Sequence, residues 1–257
     1  IAFDNAGDSV SGFQNIILPT IGITAWFSCP RAAIKPAWGT SMVSTGLDVL
    51  SRDVSILKGA RTGLLVNHTS VDSRLRYSWE LLAGAGVDIR RIFSPEHGLF
   101  STEQDQVAVD NQPRTGFDVV SLYGRGESTL APSMESISDL DAMVFDIQDV
   151  GSRYYTYLAS MILTMKRLHG TGTRFVVLDR PNPLSGDVVE GPVLERGYES
   201  FVGLLPVSVR HGLTAGETAM MAMDMLNLDV DLRVVAMEGW RRDMYYDATG
   251  LPWVHPS

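Results

Sequence analysis

The sequence predicts an α/β fold, a Rossmann-like and mostly parallel sheet with helices on both faces. Three observations carry that reading. Short apolar runs recur along the chain, amphipathic stretches at helical spacing separate them, and polar, charged and aromatic residues gather just after the runs. Strands that read as nearly continuous apolar runs are buried on both faces, as a parallel sheet flanked by crossover helices requires.

Residues 61–67 (RTGLLVN) read as the first strand, and residues 72–83 as a helix with Leu75, Trp79 and Leu82 on one face. Residues 88–94 (DIRRIFS), 117–122 and 142–147 (AMVFDI) supply the next three strands. Ser152 reads as the cap of a helix through Leu168, with Leu158, Met161, Ile162 and Met165 at helical spacing. Residues 174–178 (RFVVL) form a fifth strand. Thr214-Ala215-Gly216-Glu217 fits a capping box at the start of another helix, and residues 232–236 close the series. Residues 1–45 show no clear period, contain Pro19, Pro30 and Pro36, and read as a leader outside the main fold, which takes up residues 46–257.

Composition narrows the partners. Hydrophobic residues make up 45% and charged residues 20%, an ordinary globular balance. The formal charge of −9 without a Lys/Arg block argues against nucleic acid, which needs clustered cations for its phosphates. No apolar stretch reaches the length of a membrane span. The single cysteine, Cys29, permits neither an internal disulfide nor a thiolate metal cluster. Residues 16–27 are apolar, but Asp4 and Asp8 precede them and Lys and Arg do not, so an export signal is a poor fit.

Ligands of open parallel sheets bind beyond the carboxyl ends of the strands. The residues just past those ends are Asn67-His68-Thr69, then Pro95-Glu96-His97-Gly98, then Tyr123-Gly124. Asp146, Gln148, Asp149, Arg153, Tyr154 and Tyr155 follow the fourth strand, and Asp179, Arg180 and Asn182 the fifth. Glu96 lies in a sharply turned segment, which favours a functional over a merely solvated carboxylate. Asp146 suits catalysis and pairing with Arg153 or Arg180 equally. Asp149 could instead order the loop before Ser152. Arg153 at a helix start opposes the helix dipole, so it answers an anion or Asp146. Asn182, between two prolines, offers a donor and an acceptor, as a ligand or as a turn residue. Glu217 is assigned to the capping box, while His211 remains a site candidate. Gly124 and Gly126 make too weak a pattern for a nucleotide loop, and neither HxH nor HExxH spacing is present. No cofactor or metal is therefore expected.

Several motifs together are similar to a known bacterial family. They are FSPEHG (93–98), SLYG (121–124), FDIQDVGSRYYTY (145–157), LDRPNP (178–183), EGP (190–192), SFVG (200–203), RHGLTAGE (210–217) and GWRRDM (239–244). From about Gly46 onward the chain resembles the exo-β-N-acetylmuramidases, once a domain of unknown function. The resemblance implies release of N-acetylmuramic acid from the non-reducing end of peptidoglycan fragments, in the periplasm or outside the cell. It also implies a smaller second domain, with the active site in the cleft between the two. On this expectation residues 1–257 stop before that domain, expose apolar surface toward the cleft and have low activity alone. Phe100-Ser101-Thr102 stands where the family pattern places a glycine.

Glycoside hydrolysis usually needs two carboxyl groups beside the scissile bond. Glu96 is the first choice as acid/base, and Asp146, Asp149 and Glu190 compete for the second role. A bidentate arginine suits the lactyl carboxylate of muramic acid, with Arg153 and Arg180 as candidates. Tyr123, Tyr154 and Tyr155 could stack on the sugar. Asn67, His97, Gln148, Asp179, Asn182 and His211 complete the expected substrate-binding set. The rival readings are a non-catalytic muropeptide- or sugar-binding protein and a metal-dependent hydrolase using His97 and His211.

Overall fold

The computed structural model describes residues 43–100, 116–122 and 130–256. Most of the expected leader, Tyr123, Gly124, Gly126 and the Ser101-Thr102 departure lie outside the described residues. The first strand is β1 (Arg61–Val66), followed by β2 (Asp88–Ser94), β3 (Asp118–Ser121), β4 (Ala142–Asp146) and β5 (Arg174–Leu178). The antiparallel pair β6 (Glu190–Val193) and β7 (Ser208–Arg210) comes next, then β8 (Asp231–Val235). The helices are α1 (Gly46–Leu50), α2 (Ser78–Gly84), α3 (Met134–Ile137), α4 (Tyr157–Leu168) and α5 (Ala215–Met225).

Six strands form one sheet in the order β3-β2-β1-β4-β5-β8, and every neighbouring pair is parallel. Alternation along each strand splits the core in two. Leu65, Phe93, Phe145 and Val177 point to the face covered by α4 and α5, with Met161, Met165 and Ala219. Leu64, Val66, Ile92 and Val144 point to the other face, with Leu47 of α1 and Trp79 and Leu82 of α2. The expected α/β sheet covered on both faces is therefore observed.

Two helices start later than the periodicity predicts. The segment expected to begin at residue 72 becomes helical at Ser78. Asp72 instead draws the chain into a turn: its Oδ1 accepts from the N–H groups of Arg74 and Arg76, and Leu75 takes a left-handed φ of 63°. Leu75 is consequently exposed, not on the apolar face. The helix expected from Ser152 begins at Tyr157, with Thr156 at its N-cap. Residues before it are drawn to β7, because the Arg153 N–H donates to Val209 O and Ser152 bridges to Arg210. Arg153 is thus not at a helix start, and the dipole argument for it fails. The β6–β7 hairpin is an addition that the apolar pattern did not disclose, since all four residues of β6 are exposed.

The capping box of α5 is present: Thr214 Oγ1 accepts from Glu217 N–H, and the Glu217 carboxylate accepts from Thr214 N–H. A second one, Thr45 with Asp48, starts α1. That helix is pressed onto the sheet edge at Gly46, whose N–H donates to Asp179 O at 2.7 Å. A Cβ there would lie 2.4 Å from Asp179 N and 2.6 Å from Val235 O, both main-chain atoms. Gly46→Ala is expected to destabilise the protein by at least about 1–3 kcal/mol, the range for overpacking. Urea unfolding checks this; an unchanged midpoint would contradict the close approach.

Candidate active site

The strand order reverses between β1 and β4, so their carboxyl ends flank the position where such sheets open a crevice. Here protein groups fill that position. Asn67 Oδ1 accepts from the N–H and the hydroxyl of Thr69, and Thr69 Oγ1 accepts from Gln148 N–H at 3.0 Å. The Ser70 hydroxyl accepts from Asn67 N–H and donates to Asp146 O. Gln148 Nε2 donates to the carbonyls of Asp149 and Pro181, both at 2.8 Å. Asn67 and Gln148, expected to bind substrate, are buried and knit the loops after β1, β4 and β5 together.

Asp146 and Arg180 lie beneath this plug. Arg180 Nε donates to Asp146 Oδ1 at 2.6 Å and Arg180 Nη2 to Val71 O at 2.9 Å. Asp146 has 0% and Arg180 5% exposure. Burial pushes the Asp146 carboxyl above its ordinary range, against the pull of Arg180. Oδ1 is thus taken by Arg180, while Oδ2 is buried without a hydrogen-bond partner. Of the two readings the sequence left open for Asp146, the pairing with Arg180 is present in the structure.

Asp179 and Asn182 also turn inward. Asp179 accepts from Gly216 N–H at 2.9 Å, Thr214 Oγ1 at 3.0 Å and Arg180 N–H at 3.1 Å, anchoring the start of α5. Burial nevertheless lifts its pKa to about 6. Asn182 spends its amide on Leu213 O and its carbonyl on Leu184 N–H, both at 2.9 Å. Its Oδ1 would also lie 2.5 Å from a Cβ at Gly151, where φ is +80°. Asn182 thus acts as the turn residue, its alternative reading.

Glu96 is placed differently. The 95–98 turn closes with Gly98 N–H donating to Pro95 O, and His97 and Gly98 both have left-handed φ, 67° and 78°. Left-handed backbone is uncommon outside glycine, and histidine is among the residues that adopt it more readily. Glu96 is half-buried, and its Oε2 accepts from the Thr156 hydroxyl at 2.6 Å. That contact sets the carboxyl at the N-terminal end of α4. Thr156 was not singled out in the sequence; its place inside SRYYTY was the only signal for it.

A second pairing joins Asp149 to His211. Asp149 Oδ2 accepts from Gly151 N–H at 2.7 Å and lies 3.3 Å from His211 Nε2. His211 Nδ1 accepts from Leu213 N–H, which leaves the ring proton on Nε2, facing Asp149. Asp149 Oδ1 is buried without a hydrogen-bond partner. Glu190 lies apart on β6, exposed, with Arg210 Nη1 donating to it at 2.6 Å. Arg153 reaches Pro192 O and Val207 O and stacks under Tyr154, which is more than half exposed; Tyr155 packs edge-on against Tyr157. Tyr123 lies outside the described residues. Among those residues no group of three or more His, Cys, Asp or Glu could hold a metal ion. Nor is any of their helices long and apolar enough to cross a membrane.

Residues 62–257 match a family model described as exo-β-N-acetylmuramidase NamZ, N-terminal. The chain belongs to this family. It is 42% identical over 219 residues to the peptidoglycan β-N-acetylmuramidase NamZ of Bacillus subtilis (strain 168), covering 84% of this chain and 52% of that protein. Two crystal structures of DUF1343 family proteins from Bacteroides fragilis NCTC 9343 are similar in fold. One has a TM-score of 0.76 at 38% identity, with 84% of this chain and 55% of the other covered. The second has a TM-score of 0.68 at 32% identity, with 80% and 55% covered. The chain thus spans about half the length of the family members it matches.

Two predictions follow from the buried carboxylates. Asp146→Asn leaves the Arg180 charge buried without its counter-ion and is expected to cost about 3–5 kcal/mol. The double variant Asp146→Leu with Arg180→Met should lose much less. Denaturant unfolding of both decides it, and equal losses would contradict the ion-pair account. For Asp179, the folded pKa of about 6 exceeds the ordinary 3.8, so between these values the native state binds more protons than the unfolded one. Its contribution to stability is therefore fully present below pH 4 and lost as pH rises through 6. The stability of wild type relative to Asp179→Asn should rise by about 2 kcal/mol between pH 6.5 and pH 4. A flat difference across that window would refute the shift.

Proposed function

We propose that this chain carries the acid–base carboxyl of a glycoside hydrolase that releases N-acetylmuramic acid from the non-reducing end of peptidoglycan fragments. Family membership and the activity named for the Bacillus subtilis relative support the substrate class. The placement of Glu96 carries the chemistry. Of the four candidate carboxylates it alone is both half-buried and held at the carboxyl edge of the sheet without an arginine across it. Thr156 occupies Oε2 and leaves Oε1 to exchange a proton with the glycosidic oxygen, so the leaving sugar departs neutral.

We assign the second role to Asp149. Asp146 is paired with Arg180 and Glu190 with Arg210 on the exposed hairpin, whereas Asp149 has no arginine across it: Gly151 N–H donates to its Oδ2, and His211 Nε2 stands 3.3 Å away. On this reading the protein works where wall fragments occur, and we propose the periplasm or the outside of the cell.

The test is Glu96→Gln in the natural full-length polypeptide. Fold, followed by thermal melting, and sugar binding, followed by titration, should be retained. Release of muramic acid from a defined disaccharide should slow by roughly 10²–10⁴-fold, the usual contribution of a positioned acid–base group. Near-normal turnover would remove Glu96 from the mechanism, and loss of folding would make it structural.

A further inference from the structure

Thr156 stands at the N-cap of α4, where a threonine hydroxyl ordinarily accepts from a backbone N–H of the first turn. The hydroxyls of Thr45, Ser133 and Thr214 do this for α1, α3 and α5. Those three caps have extended backbone, whereas Thr156 is already helical, with φ −76° and ψ −11°. In that conformation its hydroxyl caps no N–H of the helix and donates to Glu96 Oε2 at 2.6 Å instead. A favourable local cap has been given up for a contact 60 residues away in the sequence.

Both ends of this contact are anchored. Thr156 O accepts from Ser160 N–H at 2.9 Å, and the next residue, Tyr157, is 1% exposed in the core between α4 and the sheet. Glu96 follows β2 in a turn closed by Gly98 N–H donating to Pro95 O at 3.1 Å, with left-handed His97 and Gly98 after it. A hydrogen bond between two anchored groups fixes the rotation of the carboxyl and makes its two oxygens unequal. A hydroxyl that donates to Oε2 needs a lone pair there, so a protonated Glu96 carries its hydrogen on Oε1.

We propose that Thr156 is a positioning residue for Glu96, one that holds Oε2 as an acceptor and so assigns the transferable proton to Oε1. This rests on the hydrolase reading above. In the step itself the Oε1 proton passes to the glycosidic oxygen as the bond from that oxygen to the anomeric carbon breaks. The bonding electron pair stays on the oxygen, so the leaving sugar departs as a neutral alcohol and Glu96 is left as a carboxylate. Water adds to the anomeric carbon, and the proton it loses restores the protonation of the site. Once Glu96 is ionised, the Thr156 hydroxyl donates to a charged oxygen, a stronger bond than the one to the neutral acid. The contact thus gains strength as the proton leaves, and only an interaction that strengthens toward the transition state speeds the reaction.

Thr156→Val keeps the branched shape and removes the hydroxyl, while Thr156→Ser keeps the hydroxyl. Both are made in the natural full-length polypeptide and assayed on two substrates. In a muramic-acid disaccharide the leaving group is a sugar that must be protonated. In the dinitrophenyl glycoside of N-acetylmuramic acid it departs without a proton. On the disaccharide, Thr156→Val should lower kcat by about 10- to 100-fold with KM near wild type. On the dinitrophenyl glycoside the loss should stay within about threefold, and Thr156→Ser should restore most of the kcat. Because no cap bond is lost, Thr156→Val should melt within about 2 °C of wild type. Equal losses on the two substrates would overturn the proposal, as would a loss confined to KM or full activity on both. If Thr156→Val does not fold, Thr156→Ala replaces it, and failure of both makes the residue structural. A measurement without turnover separates the contact from the hydrolase reading. In protein isotopically labelled at its glutamate carboxyls, the Glu96 resonance, assigned by its loss in Glu96→Gln, should move in Thr156→Val and return in Thr156→Ser. An unmoved resonance overturns the contact whatever the activity. Wild type that releases no muramic acid sinks the hydrolase reading, and the resonance still decides the contact.

Discussion

The ion pair between Asp146 and Arg180 ties the carboxyl edge of the sheet together. Asp146 ends β4, and Arg180 follows β5, the neighbouring strand. The guanidinium also reaches Val71 O in the loop after β1, and the Ser70 hydroxyl donates to Asp146 O. Three loops that belong to different strands therefore share one buried charge cluster. Ion pairs taken out of water often contribute little net stability, but removing one partner is severe because it strands the other. The pair is better understood as fixing where the loops lie than as a source of stability.

The position where a Rossmann-type sheet would take a ligand is packed with Asn67, Thr69, Ser70 and Gln148. The rest of the edge is built from the loops after β2 and β4, the start of α4 and the segment after β7. Glu96 meets Thr156 there, and Asp149 meets His211. Each contact joins a loop to a rigid element or to a left-handed turn and so fixes the position of a carboxylate.

The β6–β7 hairpin links this site to α5. Arg153 staples it through two carbonyls, and its strand β7 leads directly to His211 and then to the Thr214 cap. Asp179 receives that cap from the sheet side through the Thr214 hydroxyl and the Gly216 N–H. Titration of Asp179 near neutral pH would therefore be felt at the start of α5, a few residues from His211, as well as in global stability.

The strands were legible in the sequence because an apolar run buried on both faces is a local signal, and all six sheet strands fall within a residue or so of the periodic reading. The α5 capping box was legible for the same reason, since its four residues are contiguous. Polar residues past each strand marked the carboxyl edge, but not which of them turn inward to partners. That depended on partners far along the chain: Asp146 finds Arg180 34 residues away, and Glu96 finds Thr156 60 residues away. Helix starts at Ser78 and Tyr157 were likewise decided by Asp72 and by the hairpin, which override helical periodicity with competing hydrogen bonds. Composition and spacing thus determined the layers and the edge that carries the site. Only the tertiary structure decided which carboxylates are paired with arginines and which are not, because burial and hydrogen-bond partnership belong to contacts between distant segments rather than to any local pattern.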